Sequence, residues 1–230
     1  MNIYIDLPQA LSQVEGMNRL CQEQQTIYEQ LANQFQKFIL ETSSRSKAYD
    51  SAKQYFETVL LPLIRGGKLL SEIVIEVNNQ FIKKYLSTVD YCSLNAAELS
   101  EQISYWENQI EKIRRLLKEV ADSTLEPLNK AFFISENTTL LGMYGEIKSE
   151  LNGKLNRLQA FNHYAVDLFD EIIQLGEWLT EGCQVVRKGW NYKEALFVIP
   201  EEANMGWADR INQAILKQEN KEQRISVENL

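Results

Sequence analysis

Apolar residues recur along most of this chain at alternating steps of three and four, the spacing that stacks side chains on one face of an α-helix. The first series is Leu7, Ala10, Val14, Met17, Cys21, Gln24, Tyr28, Leu31, Phe35 and Phe38, broken only by Gln24. The second runs Ala52, Phe56, Val59, Leu63, Gly66, Leu70, Ile73 and Val77, broken only by Gly66. The third is Leu99, Ile103, Trp106, Ile110, Ile113, Leu117 and Val120, without exception. The fourth extends from Tyr144 through Ile147, Leu151, Leu158, Phe161, Ala165, Leu168, Ile172, Leu175 and Leu179 to Val186, with breaks at Lys154 and Gly182. A strict three-four alternation makes a narrow seam, which long helices bury against one another as in coiled coils. The pattern predicts helices over about residues 8–41, 47–86, 95–121 and 136–188.

The polar positions between the series agree. Thr42 to Ser46 reads as a turn between the first two helices, and Asn95 with Glu98 reads as a capping box for the third. Pro127 falls between the third and fourth series, so the chain is expected to turn between Asp122 and Asn137. Pro62 and the Gly66-Gly67 pair sit inside the second series without upsetting its phase. They predict a kinked but continuous helix in which the glycines permit close backbone approach. A fourth helix of some fifty residues would be about 75 Å long. The expected fold class is all-α, an elongated rod of long antiparallel helices packed as hairpins. Past Trp190 the periodicity stops: Leu196 to Pro200 reads as a short extended piece, followed by a helix from about Trp207 to Lys217 and a polar tail. The expected division is one helical domain over 1–205 and a terminal helix and tail over 206–230, serving as a linker.

Composition narrows the class of function. With 44% hydrophobic residues the 230-residue chain has enough apolar content for a core, and 10 Gly and 4 Pro are too few to punctuate a β-rich fold. A net charge of −8, with acidic and basic residues interspersed, offers no basic stripe for nucleic acid. Residues 1–9 lack a basic start and an apolar core, so no classical signal peptide is read there. The longest apolar runs fall well short of the ~20 residues that span a bilayer.

Chemistry-bearing patterns are sparse. The single histidine, His163, has no Ser or Cys beside it, and the residue three before it is Ala160, so a Glu-x-x-His dimetal motif is missing. Gly142 and Gly145 lack the Lys and Ser/Thr of a phosphate loop. Cys21, Cys92 and Cys183 show no metal-like or paired spacing, and Cys21 and Cys183 fall on or beside the apolar stripes as small hydrophobes. Asp167, Asp170 and Glu171, and likewise Glu201 and Glu202, read as solvated faces. No enzyme activity and no cofactor are expected. Trp190 and Trp207 lie where the seam has ended, and they are read equally as docking the tail or as meeting a partner.

The stretch Lys47-Ala48-Tyr49-Asp50-Ser51-Ala52-Lys53-Gln54-Tyr55-Phe56, followed by Leu61-Pro62-Leu63-Ile64 and Gly66, resembles the LXG domain. This is the N-terminal region of toxins exported by the type VII secretion system of Gram-positive bacteria. Leu69-Leu70-Ser71-Glu72, Phe81, Tyr85 and Val89-Asp90 fit the same pattern. The resemblance is sharpest over residues 1–120 and rests on helical character beyond. Where the motif that names the family would fall, this chain has Ser44-Arg45-Ser46.

The resemblance implies a non-catalytic targeting domain whose toxic activity lies in a separate domain. It implies small WXG-like helical-hairpin partners that lead the toxin to the membrane ATPase of the secretion machine. It also implies a cytoplasmic stage before export without a classical signal peptide. The partner-binding residues expected on this basis are Lys47, Tyr49, Asp50, Tyr55, Phe56, Val59 and Leu63 on a WXG-like N-terminal hairpin, with Trp190 and Trp207. Tyr55, beside the seam residue Phe56, is expected to reach a partner without being needed in the core. Exposed seam also makes self-association possible. A cytoplasmic helical scaffold is the competing reading, and a long-helix pore-forming toxin is disfavoured by the missing apolar segment.

Overall fold

The computed structural model describes residues 3–43 and 46–228 and is all-α apart from two pairs of two-residue strands. In chain order the elements are β1 (Tyr4–Ile5), α1 (Leu7–Leu40), α2 (Lys47–Tyr55), a π-helical turn (Phe56–Leu60) and α3 (Leu61–Thr88). Then follow β2 (Leu94–Asn95), α4 (Ala96–Asp122), α5 (Pro127–Leu168) and α6 (Asp170–Val186). The chain ends with β3 (Trp190–Asn191), β4 (Leu196–Phe197), a 3-10 turn (Glu202–Asn204) and α7 (Gly206–Glu228). Two compact units result, one from the residues through Ser12 together with Phe81–Asp167, the other from Gln13–Gln80 and Leu168 onward. Each has its own hydrophobic core.

In the first unit β1 pairs antiparallel with β2, Tyr4 opposite Asn95 and Ile5 opposite Leu94. This places the chain start beside the α3–α4 connection, where the amide of Leu7 donates to Ser93 Oγ at 3.0 Å. Asn95 caps α4 as expected: its Oδ1 accepts from the amide of Ala97 at 2.9 Å, and its Nδ2 donates to Glu98 Oε1 at 3.1 Å. The core gathers Leu7, Tyr85, Val89, Leu94, Ala96, Leu99, Leu158 and Phe161. Phe161 meets Phe81 and Tyr85 edge-on, at 4.9 and 5.3 Å between ring centroids. The loop after α3 is clamped from α5, because Lys154 Nζ pairs with Asp90 Oδ2 at 3.1 Å and Arg157 Nε donates to the carbonyl of Val89 at 3.1 Å.

The turn after α4 is shorter than the sequence pattern suggested. Only Ser123–Glu126 are non-helical, and α5 begins at Pro127. A proline at the first helical position loses nothing, since the amide there has no intrahelical partner. The apolar run Ala131 to Ile134 is therefore helix. The long fourth helix is also two: Phe169, at φ −93° and ψ −4°, separates α5 from α6.

In the second unit α1 lies antiparallel to α3. Asn18 exchanges hydrogen bonds with Asn79 (2.9 Å) and Asn78 (3.1 Å), Ser71 Oγ donates to Gln24, and Lys68 pairs with Glu29 at 2.6 Å. An amide trio within an otherwise apolar seam favours one register over its neighbours. The second helix of the sequence pattern is continuous but carries the π turn, in which the amide of Leu61 donates to the carbonyl of Phe56. Pro62 has no amide to offer Thr58, and a widened turn just before it relieves the clash that a proline ring makes with the preceding turn.

Helix α7 completes this core with Trp207, Ala208 and Ile211. Two glycines make room for it. A Cβ on Gly66 would stand 2.9 Å from Ile211 Cγ2 and Leu179 Cδ2, and one on Gly182 2.8 Å from Leu63 Cδ1 and the Trp207 ring. Outside this contact α7 is joined to its neighbours by Lys217–Glu171 (3.4 Å), Arg210–Glu181 and Lys221–Glu76. Of the two roles read for Trp207, the structure gives it the docking one. The segment expected to be a polar tail is helical to Glu228.

Candidate protein-binding surface

The residues expected to bind a partner sort into two groups, both in the second unit. Lys47, Tyr49 and Asp50 open α2 and are exposed. Ser46 stands before them in extended conformation (φ −160°, ψ 159°), and its hydroxyl accepts from the amide of Tyr49 at 3.2 Å. A serine in that geometry is a good helix cap and needs no left-handed residue. Ser44 and Arg45 lie outside the described residues. Asp50 occupies the first turn, where its charge complements the free amides.

Tyr55, Val59 and Trp207 form the other group, and they are core. Their exposures are 1%, 0% and 2%. Tyr55 stacks on Phe197 at 4.9 Å, its hydroxyl lies 3.4 Å from the carbonyl of Val186, and burial raises its pKa. The expectation that Tyr55 is dispensable to the core is corrected. The physical reason is the π turn that starts at Phe56. Its extra residue per turn rotates the helix faces before and after it relative to one another, so a strict three-four count through it misassigns which neighbour points inward. The β3–β4 hairpin then covers Tyr55. Phe56 and Leu63 are half-buried and pack against the same core.

A row of rings, half-buried in the middle and exposed at its ends, runs from here toward the surface. Tyr49 meets Phe38 (5.4 Å), Phe38 meets Phe56 (4.9 Å), Phe56 meets Phe197 (6.2 Å) and Phe197 meets Trp190 (4.9 Å). Tyr49 and Trp190, 141 positions apart in sequence, thus sit at the two ends of one aromatic cluster, each more than a third exposed. The amide of Phe197 donates to Ser51 Oγ at 3.2 Å, which fixes the hairpin on α2. Lys53 Nζ lies 5.9 Å over the Tyr49 ring and donates to the carbonyl of Glu41, tying the α1–α2 connection to the same place.

A larger feature was not singled out from sequence. On α1 the inward residues are Val14, Asn18, Cys21, Gln25, Tyr28, Ala32 and Phe35, while Met17, Leu20, Ile27 and Leu31 are exposed at 48%, 48%, 60% and 38%. Met17 and Leu31 had been placed on the buried seam. The helix carries two adjacent apolar stripes, and α3 covers one of them. Met17 and Leu20 form the rim of a groove of about 430 Å³ whose walls are Tyr28, Leu63, Ile64, Leu70 and Val74, with Leu179 and Cys183 from α6. Buried Cys21 lies in it, whereas Cys183 is exposed rather than packed. The signal in the sequence was the polar pair Asn18 and Gln25, whose inward positions displace the second stripe outward.

A second recess of about 530 Å³ lies between the end of α6 and the start of α7, bordered by Glu181, Lys188, Asn204 and Arg210 over Trp207. Trp207 Nε1 is buried there without a hydrogen-bond partner. Among the described residues no three His, Cys, Asp or Glu side chains gather to hold a metal ion, and no helix is long and apolar enough to cross a membrane.

These features make the chain an all-α protein with an exposed apolar surface flanked by aromatic rings. No known protein-family description matches the sequence. The chain is 24% identical over 229 residues to a protein of Bacillus cereus named Toxin, an alignment that takes in 99% of this chain and 40% of the relative. It spans about two fifths of that toxin's length.

Proposed function

We propose that this chain is the non-catalytic targeting domain of a secreted antibacterial toxin. It binds small helical-hairpin proteins that direct it to the type VII secretion machinery. The observation that carries the reading is the alignment itself: nearly all of this chain matches a minor part of a longer protein named as a toxin. This is the relation expected of a delivery domain joined to a separate effector. The LXG-like residues Lys47 to Phe56 lie on α2 and enter the π turn, and the groove edged by Met17 and Leu20, whose walls on α3 begin at Leu63, offers an apolar bed in the same unit. An amphipathic helix laid in such a groove buries side chains at every third or fourth position.

The test is export. A reporter fused behind this chain is expected in the medium of a Gram-positive host with an intact type VII system and its helical-hairpin partners, and to stay in the cells when the membrane ATPase is deleted. Met17→Glu with Ile27→Glu should lower both partner capture and export. Secretion that ignores the ATPase, or export unchanged by that double substitution, refutes the reading.

A further inference from the structure

We infer that the α4–α5 hairpin of the first unit is a homodimer surface, which pairs two copies of this chain as an antiparallel four-helix arrangement. The register within the hairpin is set by Trp106 against Tyr144 (4.9 Å between rings) and by Glu107 with Lys148 at 2.6 Å. Ile110 and Ile113 are buried beneath them. A seam of this kind uses one stripe of each helix. Here a second stripe is apolar too. On α4, Tyr105 and Leu116 are exposed at 56% and 45%, and on α5, Phe132, Leu140 and Met143 at 65%, 38% and 53%.

At 100° per residue, the stripe on α4 and the stripe on α5 both lie on the same rotational side of their own seam. In an antiparallel pair, equal rotational offsets bring two stripes to one side of the hairpin. Glu107 and Lys148 illustrate the rule, since both are offset the other way and meet across the opposite edge. The five exposed side chains therefore form one patch. It amounts to roughly 500 Å² of apolar surface, at the upper end of what a monomer exposes. With its polar rim it approaches the ~800 Å² per partner of a standard interface.

The charges on that side decide the occupant. Lys112 of α4 and Glu136 of α5 are exposed, and among the described residues neither forms an ion pair within 4.0 Å in its own chain. From the Trp106–Tyr144 register, Lys112 stands level with about residue 138, within about half a helical turn of Glu136. A twofold axis along the hairpin lays α4 of each copy antiparallel on α5 of the other. Lys112 then faces Glu136 twice, with Leu116, Phe132, Leu140 and Met143 between them. A self-complementary patch with matched charges across its own dyad is what a twofold dimer requires.

The experiment is sedimentation of the whole 230-residue chain across a concentration series. The wild type is expected to form a concentration-dependent dimer, and Leu140→Glu with Met143→Glu should weaken it by more than about tenfold with helical content unchanged. Lys112→Glu and Glu136→Lys should each weaken the dimer, and the two reversals combined in one chain should restore it. A chain that stays monomeric at about 100 μM overturns the inference. So does a dimer indifferent to the Leu140 and Met143 changes, or a charge swap that restores nothing. Loss of vesicle binding or of a helical partner, with no dimer present, assigns the patch to another occupant and equally overturns it.

Discussion

Gly189 lies just past the end of α6 in the second unit, and replacing it with alanine tests how that unit is assembled. A Cβ at this position would stand 2.6 Å from Tyr55 Cε2, and closer still to Cζ and the hydroxyl oxygen, where carbon contacts are normally at least 3.4 Å. Something must move by most of an ångström or more. Tyr55 has little freedom to do so, being 1% exposed and stacked on Phe197, with Val59 in the same core. Gly189 lies outside the helices, so alanine gains no helix propensity in return. Overpacking of this kind costs about 1–3 kcal/mol, and the rigid neighbour places Gly189→Ala at the upper end. For a chain of this size that lowers the melting temperature by about 5–10 °C. The control is a double-mutant cycle with Tyr55→Ala, measured by thermal and urea unfolding. With the ring removed there is nothing left to strike, so Gly189→Ala should add almost no further cost in that background. An unchanged melting point in the single variant, or the same cost with and without the Tyr55 ring, refutes the reasoning.

Ala195, at φ 52°, holds a left-handed conformation in the β3–β4 connection, so Ala195→Gly or Ala195→Asn should raise stability by about 0.5–1 kcal/mol, read from urea midpoints. Burial pushes Tyr85 up to about 12, with the nearby Cys92 and Asp90 adding to the shift. Its contribution to stability is therefore complete below pH 10 and lost as pH rises through about 12, and absorbance titration at alkaline pH should find a tyrosine that ionises only with unfolding. Asp90 is opposed by burial, but the Lys154 ammonium, the amide of Tyr91 and the Cys92 thiol hold its carboxyl below the usual range. Its contribution is present above the ordinary carboxylate pKa and lost as pH falls through the lowered one. Asp90→Asn should cost about 1 kcal/mol at neutral pH and flatten the acid limb of the stability curve. Tyr55→Glu should unfold the second unit, seen as loss of cooperative melting, because an unpaired carboxylate would enter the Val59, Leu175 and Ile211 core.

Long helices were legible because three-four spacing is a direct consequence of helix geometry. The capping residue Asn95 was legible for a similarly local reason: a short polar side chain just before an apolar run satisfies amides within its own turn. What escaped depended on partners distant in sequence or on irregular backbone. Nothing local distinguishes Phe169 from its neighbours, yet the helix breaks there. The π turn before Pro62 shifts the phase between Tyr55 and the residues that follow, which no fixed period can follow through. Trp207 could be read as core only once Gly66 and Gly182, far away in the chain, were seen to leave space for α7. The outward stripe on α1 was hidden by its own hydrophobicity. Met17 and Leu31 satisfy the seam pattern as well as the true inward residues do, and the hydrogen bonds that Asn18 accepts from Asn78 and donates to Asn79 show which stripe faces α3.

The same distinction governs how the proposed function should be probed. Along α2 and the π turn, side chains of one short segment belong to different classes: Tyr55 and Val59 hold the unit together, whereas Lys47, Tyr49 and Asp50 touch solvent. A charged residue at Tyr55 or Val59 would abolish partner capture by unfolding the domain, whether or not a partner ever rests there. Its effect on export would therefore say nothing about recognition. Substitutions at Met17, Ile27, Tyr49 and Trp190 remove exposed apolar surface and leave the buried residues in place. They also divide the surface, because Met17 and Ile27 lie along α1 whereas Tyr49 and Trp190 end the aromatic row. If a helical hairpin docks in the groove edged by Met17 and Leu20, the first pair should dominate binding and the second should matter only where the partner extends past the α1–α2 connection. If Tyr49 and Trp190 dominate instead, recognition centres on the aromatic row and the groove belongs to some other contact.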